Sequence, residues 1–154
     1  MTIALLSLVG ILIALYLTLY KIGVVGNLSC TIGSCETVNT SRWATFLGLP
    51  VAAWGLAAYV ALFALSLAGT SDRYAGSPAI SWLLVGIAGW SVLFSAWLTY
   101  LELFVIHAIC IWCVTSAVLL VAIFAVTLLD LRGVKGSGDR GIIGRPRPPS
   151  PSTP

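Results

Sequence analysis

Four long stretches of this chain contain no formally charged side chain. They comprise residues 2–20, 43–71, 74–101 and 103–129 of a sequence of 154 residues. Each supplies the roughly 20 residues that a helix needs to cross about 30 Å of hydrocarbon. Only 8% of the residues are charged and 59% are hydrophobic, whereas a soluble domain carries about 25% charged residues. No soluble core of this size buries so much apolar surface, so the membrane is the solvent in which the chain folds.

We therefore predict an all-α integral membrane protein built as a bundle of four transmembrane helices. A carboxylate at the membrane centre costs about 2.5–3.5 kcal/mol, so Glu102 and His107 are expected at an interface, near the turn between the last two spans. The first span lacks a preceding basic segment and a small-residue cleavage site, which favours a membrane span over a signal peptide. The predicted spans are residues 3–22, 51–69, 80–101 and 108–130.

The chain is predicted to divide into a transmembrane domain over residues 1–131 and a tail over residues 132–154. The tail is basic and rich in Gly, Pro and Ser, a composition typical of disordered segments. Within the first domain, residues 23–42 form the one substantial polar loop. A short helix along the membrane interface is predicted from about residue 36 to residue 49, and Pro50 and Pro78 are expected near the first turns of spans two and three.

Lysine and arginine predict the orientation of the bundle. Six of the eight lie in the tail or in the loop between spans two and three, and only Lys21 and Arg42 lie on the other side. Because basic residues accumulate on the cytoplasmic side, both termini are expected there and the polar loop outside. The net charge of +3 lies mostly in the tail, so no nucleic-acid surface is predicted.

The four cysteines form two close pairs that this topology places on the same outer side. Cys30 and Cys35 lie in the polar loop, and Cys110 and Cys113 open the last span as Cys-Ile-Trp-Cys. Helical residues three apart share a face, with Cβ atoms about 5–6 Å apart. A disulfide needs Cβ atoms roughly 3.5–4.5 Å apart, and a tightened first turn of the helix closes that difference. Disulfides persist in extracytoplasmic compartments. Exchange through a mixed disulfide would pass two electrons from a water-soluble thiol towards a lipid-soluble acceptor.

Spacing alone leaves three other interpretations of the cysteines open. They are two structural disulfides, a four-thiolate zinc or iron–sulfur site, and unpaired packing residues. An oxidising compartment and a position at the membrane edge disfavour the metal site. His107 and Glu102 are interpreted as interfacial residues, with thiol tuning or a proton path as the alternative role.

The order and spacing of several motifs resemble the vitamin K epoxide reductase family over about residues 5–130. The resemblance implies a four-helix bundle around a quinone of the ubiquinone or menaquinone type, capped by the loop and the short interfacial helix. The motifs are Cys30-Thr-Ile-Gly-Ser-Cys35, Ser41-Arg42-Trp43, Phe46-Leu-Gly48-Leu and Cys110-Ile-Trp-Cys113.

The resemblance also implies a role for each site residue. Cys110 and Cys113 would form the redox centre beside the quinone, with Cys113 nearest the ring and favoured as the thiolate. Cys30 and Cys35 would carry electrons from a thioredoxin-like protein, and Ser41 would position the loop. The loop spacing is tighter than in the family, so the likeness does not assign which loop cysteine meets the partner; we expect Cys30 to face outward and Cys35 inward, towards Cys110.

The bacterial members of this family imply the expected reaction and location. The protein would reoxidise its partner, form disulfides and reduce quinone to quinol in the inner membrane. The implied partners are membrane lipid, quinone and a thioredoxin-like periplasmic protein acting in trans, because this sequence contains no fused thioredoxin-like domain.

Two positions depart from the members that act on vitamin K and its epoxide. Those members carry an Asn near the start of span two and a Tyr four residues after the last cysteine, where this chain has Val51 and Ala117. The departure argues against epoxide reduction and leaves the hydrogen-bond partner of the quinone unassigned. The alternatives are a vitamin K (epoxide) reductase proper and a structural four-span protein with static disulfides.

Overall fold

Four long helices dominate the architecture. The computed structural model describes residues 2–27, 29–30, 34–71 and 77–140, with the backbone alone over 133–140. Four helical segments are long and apolar enough to cross a membrane, which confirms the predicted all-α membrane bundle. In chain order the elements are α1 (Thr2–Lys21), α2 (Cys35–Thr40), a 3₁₀ turn (Arg42–Ala44), β1 (Thr45–Phe46), β2 (Leu49–Pro50), α3 (Val51–Thr70), α4 (Pro78–Leu101), a π-helical turn (Glu102–Ile106) and α5 (Ile111–Arg140).

The long helices form a ring in which each packs against two others. Helix α1 lies between α3 and α5, and α4 lies between the same two helices on the opposite side. Tyr59 and Leu62 of α3, Ala88 of α4 and Ile123 of α5 are buried in the shared core. Large apolar side chains such as Leu93 stay exposed on the outer surface, as expected of helices that face lipid rather than water.

A glycine in α1 makes room for the largest buried side chain. The ring of Tyr59 lies where a Cβ atom on Gly10 would stand. The Tyr59 hydroxyl reaches across the bundle and donates to the carbonyl oxygen of Ser116 at 2.9 Å. Small residues let membrane helices approach closely, and here the missing side chain fixes the position of an aromatic ring.

Replacing Gly10 by Ala is expected to destabilise the bundle by about 1–3 kcal/mol, the usual cost of overpacking a core. The new methyl group would push the Tyr59 ring away from Ser116. Thermal unfolding of the protein in detergent measures the effect. The matched control is Gly55→Ala, since nothing lies within 4 Å of a Cβ at Gly55. Equal stability of the two variants would contradict this account of the packing.

The predicted interfacial helix is present but shorter than expected. It ends at Thr40, and the chain then forms the 3₁₀ turn and a hairpin of two short strands. The strands pair Thr45 with Pro50 and Phe46 with Leu49. Leu47 and Gly48 between them both have positive φ, 53° and 81°, as a two-residue hairpin loop requires. The prediction of helix to residue 49 was wrong because this turn reverses the chain.

One further boundary differs from prediction. Helix α5 continues to Arg140 instead of ending near residue 130, so residues 132–140, assigned to the tail, are helical. The first proline after Ile111 is Pro146, so no ring interrupts the backbone in between. The rest of the predicted tail, residues 141–154, and the residues 72–76 that include Arg73 lie outside the described residues. Pro78 opens α4 as predicted.

The connection between α4 and α5 begins at Glu102, near the predicted turn, and it buries the Glu102 side chain. Helix α4 passes into the π-helical turn without a break, and the chain reverses at His107, which has a left-handed φ of 53°. Glu102 is only 5% exposed, so its side chain is buried in the protein and does not face water, whereas its position at the membrane interface stays a prediction. The wider π-helical turn displaces the residues after Leu101 relative to an α-helix, and sequence periodicity does not reveal such a change.

Candidate functional site

Both cysteine pairs lie at the same end of the bundle. Cys30 and Cys35 form a disulfide with Cα atoms 6.2 Å apart, and Cys35 is the first residue of α2. Cys35 and Cys110 are buried in one cluster, and Cys30 and Cys113 are partly buried against it. Cys110 and Cys113 are free thiols. The loop disulfide and the helix pair therefore meet in one buried cluster, in which Cys35 is more deeply buried than Cys30.

Hydrogen bonds from several elements hold the loop against the bundle. The Ser34 N–H donates to the Ile109 carbonyl oxygen at 2.9 Å, directly beside Cys110. Lys21 at the end of α1 donates to the Asn39 carbonyl oxygen at 2.6 Å. The Trp112 indole donates to the Ser29 carbonyl oxygen at 2.9 Å. The loop thus has contacts on both sides of its disulfide.

Ser41 lies at the end of α2. Its hydroxyl donates to the Val38 carbonyl oxygen at 2.7 Å, and its backbone N–H donates to the carbonyl oxygens of Thr37 and Val38. These bonds satisfy the carbonyl groups that a helix end leaves without partners. Ser41 also lines the large cavity described below. It touches no cysteine sulfur among the hydrogen bonds of the described residues, so its contribution is to fix where α2 stops.

Cys110 caps α5 and does not belong to its first turn. Its carbonyl oxygen accepts the Val114 N–H at 3.0 Å, and its sulfur accepts the Cys113 N–H at 3.4 Å. The Asn39 side-chain amide points at the same sulfur from 3.9 Å. A sulfur at this position accepts bonds from helix N–H groups that otherwise lack partners, next to the positive end of the helix dipole.

This environment favours the thiolate at Cys110, whereas the sequence analysis favoured Cys113. A hydrogen bond from the Cys113 thiol lowers the pKa of the Cys110 thiol below its ordinary value. The N–H groups of Cys113 and Trp112 act in the same direction, and burial and the Glu102 carboxylate oppose them. The N-cap that favours the thiolate is Cys110, three residues before Cys113; the preference for Cys113 beside a bound ring stays a prediction.

A pH titration tests this assignment. In the reduced protein, alkylation of Cys110 is expected to reach half its maximal rate below the roughly 8.5 of an ordinary cysteine, because a lowered pKa leaves thiolate present at lower pH. Cys113→Ala removes the main donor and should shift the midpoint upward. Mass spectrometry of the Cys110 peptide provides the rate at each pH. An unchanged or lower midpoint in Cys113→Ala would contradict the role of the Cys113 thiol.

A cavity of about 710 Å³ has Cys113 in its wall and extends into the bundle. Cys113 and Ser116 of α5 line one side, and Cys110 is not among the lining residues. Most of the remaining wall is apolar and several of its side chains are aromatic. The aromatic residues of the wall are Trp43, Phe46, Trp54, Tyr59, Trp90 and Phe94.

These residues fit a quinone. The volume lies within the roughly 300–1,000 Å³ of small-molecule sites, which combine apolar walls with a few polar groups. The polar groups here include Lys21, Asn39, Tyr59, Ser116 and Glu102. A flat ring among aromatic side chains would have the Cys113 sulfur in the same wall. The chemistry that a bound quinone supplies is the acceptance of two electrons and two protons.

Three of these polar groups were not predicted from the sequence as site residues, and the burial of a fourth, Glu102, was not predicted. Asn39 is buried and donates to the Cys35 carbonyl oxygen at 2.9 Å. Tyr59 and Ser116 are hydrogen-bonded to each other, and Glu102 is buried. Only Glu102 carried a signal, as the one carboxylate between two apolar stretches. Of the two positions that depart from the family pattern, Val51 lines the cavity and Ala117 does not.

A metal centre finds no support in the part of the chain that the structure describes. There, no three His, Cys, Asp or Glu side chains converge so as to hold a metal ion. The four cysteines are instead divided into a disulfide and a free pair.

The comparison with protein families agrees with this architecture. The family model described as the vitamin K epoxide reductase family matches residues 1–128, which contain all four long helices except the end of α5, and both cysteine pairs. Four apolar helices, two neighbouring cysteine pairs and a family match over most of the chain lead to one conclusion: this protein belongs to the vitamin K epoxide reductase family and is a membrane oxidoreductase that works through cysteines.

Proposed function

We propose that this protein is a thiol–quinone oxidoreductase that reoxidises a thioredoxin-like partner and reduces quinone to quinol. One arrangement carries the proposal: Cys35 and Cys110 are buried in one cluster, and Cys113, packed against that cluster, lines the large cavity. Cys30 is only partly buried, whereas Cys35 is buried. Cys30 is therefore the sulfur of the loop disulfide that a soluble partner reaches more easily. The four sulfurs therefore form a path from the loop to the cavity.

The first part of the path is thiol–disulfide exchange. A thiolate of the partner attacks the Cys30–Cys35 disulfide at Cys30, and the second partner thiol resolves the mixed disulfide. The partner leaves as a disulfide, and Cys30 and Cys35 remain as two thiols. Two electrons and two protons have moved from the partner to the loop.

The second part transfers these electrons to the bundle. The Cys35 thiolate attacks Cys110 of a Cys110–Cys113 disulfide, which forms a Cys35–Cys110 bond and releases Cys113. Cys30 then attacks Cys35, restores the loop disulfide and releases Cys110 as the stabilised thiolate. The Cys110–Cys113 dithiol returns to the disulfide as its two electrons reduce the quinone. The state described above, with the loop pair oxidised and Cys110 and Cys113 free, is the point before this last step.

The test is quinone reduction by the purified protein with a reduced thioredoxin-like protein as donor. Loss of quinone absorbance should require both the donor and the enzyme. Mild reductant should open the loop disulfide, and quinone should restore the Cys110–Cys113 bond. If neither bond responds, the cysteines are static staples and the proposal fails. Turnover of vitamin K epoxide at a comparable rate would instead favour the epoxide reductase alternative.

The location is part of the same proposal. We infer the bacterial inner membrane from the likeness to bacterial members of the family, and both termini cytoplasmic with the cysteine pairs outside from the distribution of basic residues. A membrane-impermeant thiol reagent added to intact cells should label Cys30 after mild reduction. Labelling only after the cells are lysed would reverse the orientation.

A further inference from the structure

Glu102 is a buried carboxyl group that the exchange chemistry above leaves unused. It is 5% exposed, although it falls within the candidate membrane span Pro78–Ile106. Carboxyl groups in such segments are costly, and they mark proton or ion pathways more often than packing sites. Glu102 begins the π-helical turn, an irregularity that is frequent at functional sites. Its position therefore calls for a physical reason.

The side chain of Glu102 is held at the free cysteine pair. Its Oε2 atom accepts the Cys110 backbone N–H at 3.3 Å. It lines the same cavity as Cys113. The carboxyl group is thus bonded to the backbone of Cys110 and borders, together with Cys113, the space where a quinone fits.

Other titratable groups near this site are few among the described residues. Lys21 of α1 and Tyr59 of α3 line the same cavity, and the two thiols belong to α5 and the residue before it. Lys21 is engaged with the Asn39 carbonyl oxygen, and the Tyr59 hydroxyl with Ser116. Glu102 is therefore the group best placed to exchange a proton with Cys113.

We propose that Glu102 is the proton carrier of the site, which takes the proton of the Cys113 thiol and delivers it to an oxygen of the quinone. This proposal rests on the proposed function. As the S–S bond forms, the Cys113 S–H bond breaks and its proton passes to a carboxylate oxygen of Glu102. The Cys110 thiolate and Cys113 together give up two electrons. Glu102 then releases its proton to the reduced acceptor, and water supplies the second one, so that one thiolate, one thiol, one proton and one quinone yield a disulfide and a quinol.

A purely structural role for Glu102 makes a different prediction. If it served only to hold the Cys110 N–H, a side-chain amide would serve as well, because its carbonyl oxygen accepts the same hydrogen bond. Glutamine has nearly the same shape but carries no exchangeable acid proton. Glu102→Gln therefore separates proton transfer from hydrogen bonding. Glu36→Gln is the matched control, since Glu36 is exposed on α2.

Two measurements on these variants test the proposal. Quinone reduction by Glu102→Gln should fall at least about 100-fold, as expected on loss of a general acid–base group, while Glu36→Gln should retain the wild-type rate. Infrared difference spectra between the dithiol and the diamide-oxidised protein need no quinone. They should contain a carboxyl band that Glu102→Gln loses and Glu36→Gln keeps.

The outcomes are separable. Wild-type quinone reduction in Glu102→Gln, or a carboxyl band that survives in it, overturns the proposal and leaves the thiol–quinone activity intact. The proposal is also overturned if Glu102→Gln is slow but the wild-type infrared spectrum contains no carboxyl band, because Glu102 would then act by position alone. If the wild-type protein itself fails to reduce quinone, the proposed function fails, and the infrared spectra still decide whether Glu102 receives the Cys113 proton.

Discussion

Replacing Cys113 by alanine is expected to reduce quinone turnover by at least about 1,000-fold, as the loss of a reacting nucleophile does in other enzymes. Cys113 is the cysteine of the cavity wall, and without its sulfur the Cys110–Cys113 bond cannot form. The remaining Cys110 thiol then has no second thiol with which to form a disulfide and give two electrons to the quinone. Turnover with reduced donor protein and quinone is the measurement.

The same variant should leave the loop chemistry in place. Cys35 and Cys110 remain in one buried cluster, so Cys110 still exchanges with the loop disulfide. In Cys30→Ala/Cys113→Ala only this pair remains, and oxidation should trap a Cys35–Cys110 bond visible by peptide mapping. Thr115→Ala is the control for the first turn of α5, because Thr115 is exposed and bonds only to the Ile111 carbonyl oxygen. Undiminished turnover in Cys113→Ala would remove the mechanism.

The positions of the spans and of the cysteines follow from simple features of the sequence. A stretch of about 20 residues without charge has few alternatives to a membrane helix. Two cysteine pairs in segments on the same side of four spans must meet at one end of the bundle. Cys35 is buried in one cluster with Cys110, and which loop cysteine meets the partner stays a prediction.

The finer features of the site could not be predicted in the same way. Asn39 and Cys110 are separated by 71 residues in sequence, and no local pattern brings an amide to a thiol at that range. The choice of thiolate depends on whether the helix begins before or after Cys110, which is within the usual uncertainty of a helix boundary. The burial of Glu102 depends on a π-helical turn, which has no recognisable periodicity. Contacts between distant elements decide the chemistry here, whereas local composition decides the fold.

Replacing Cys35 by alanine is expected to separate the two halves of the relay. Turnover driven by the partner protein should fall by about 1,000-fold or more, because the loop loses the sulfur that is buried in one cluster with Cys110. Quinone reduction driven by a small dithiol should persist, since Cys110 and Cys113 are unchanged and the small molecule has no need of the loop. The ratio of the two rates, measured on one preparation, is the diagnostic quantity.

Cys30→Ala provides the matched comparison, because it removes the other sulfur of the same disulfide. Turnover with the partner should also be lost, but Cys35 is still able to bond with Cys110, and oxidation should accumulate that mixed disulfide. Cys35→Ala should accumulate no bond between loop and bundle. If instead Cys30, which is half-buried, formed the bond to Cys110 in Cys35→Ala, the order of the relay would be reversed. Equal loss of both rates in Cys35→Ala would mean that the loop disulfide holds the site together rather than carrying electrons, because a staple supports every reaction at the site alike.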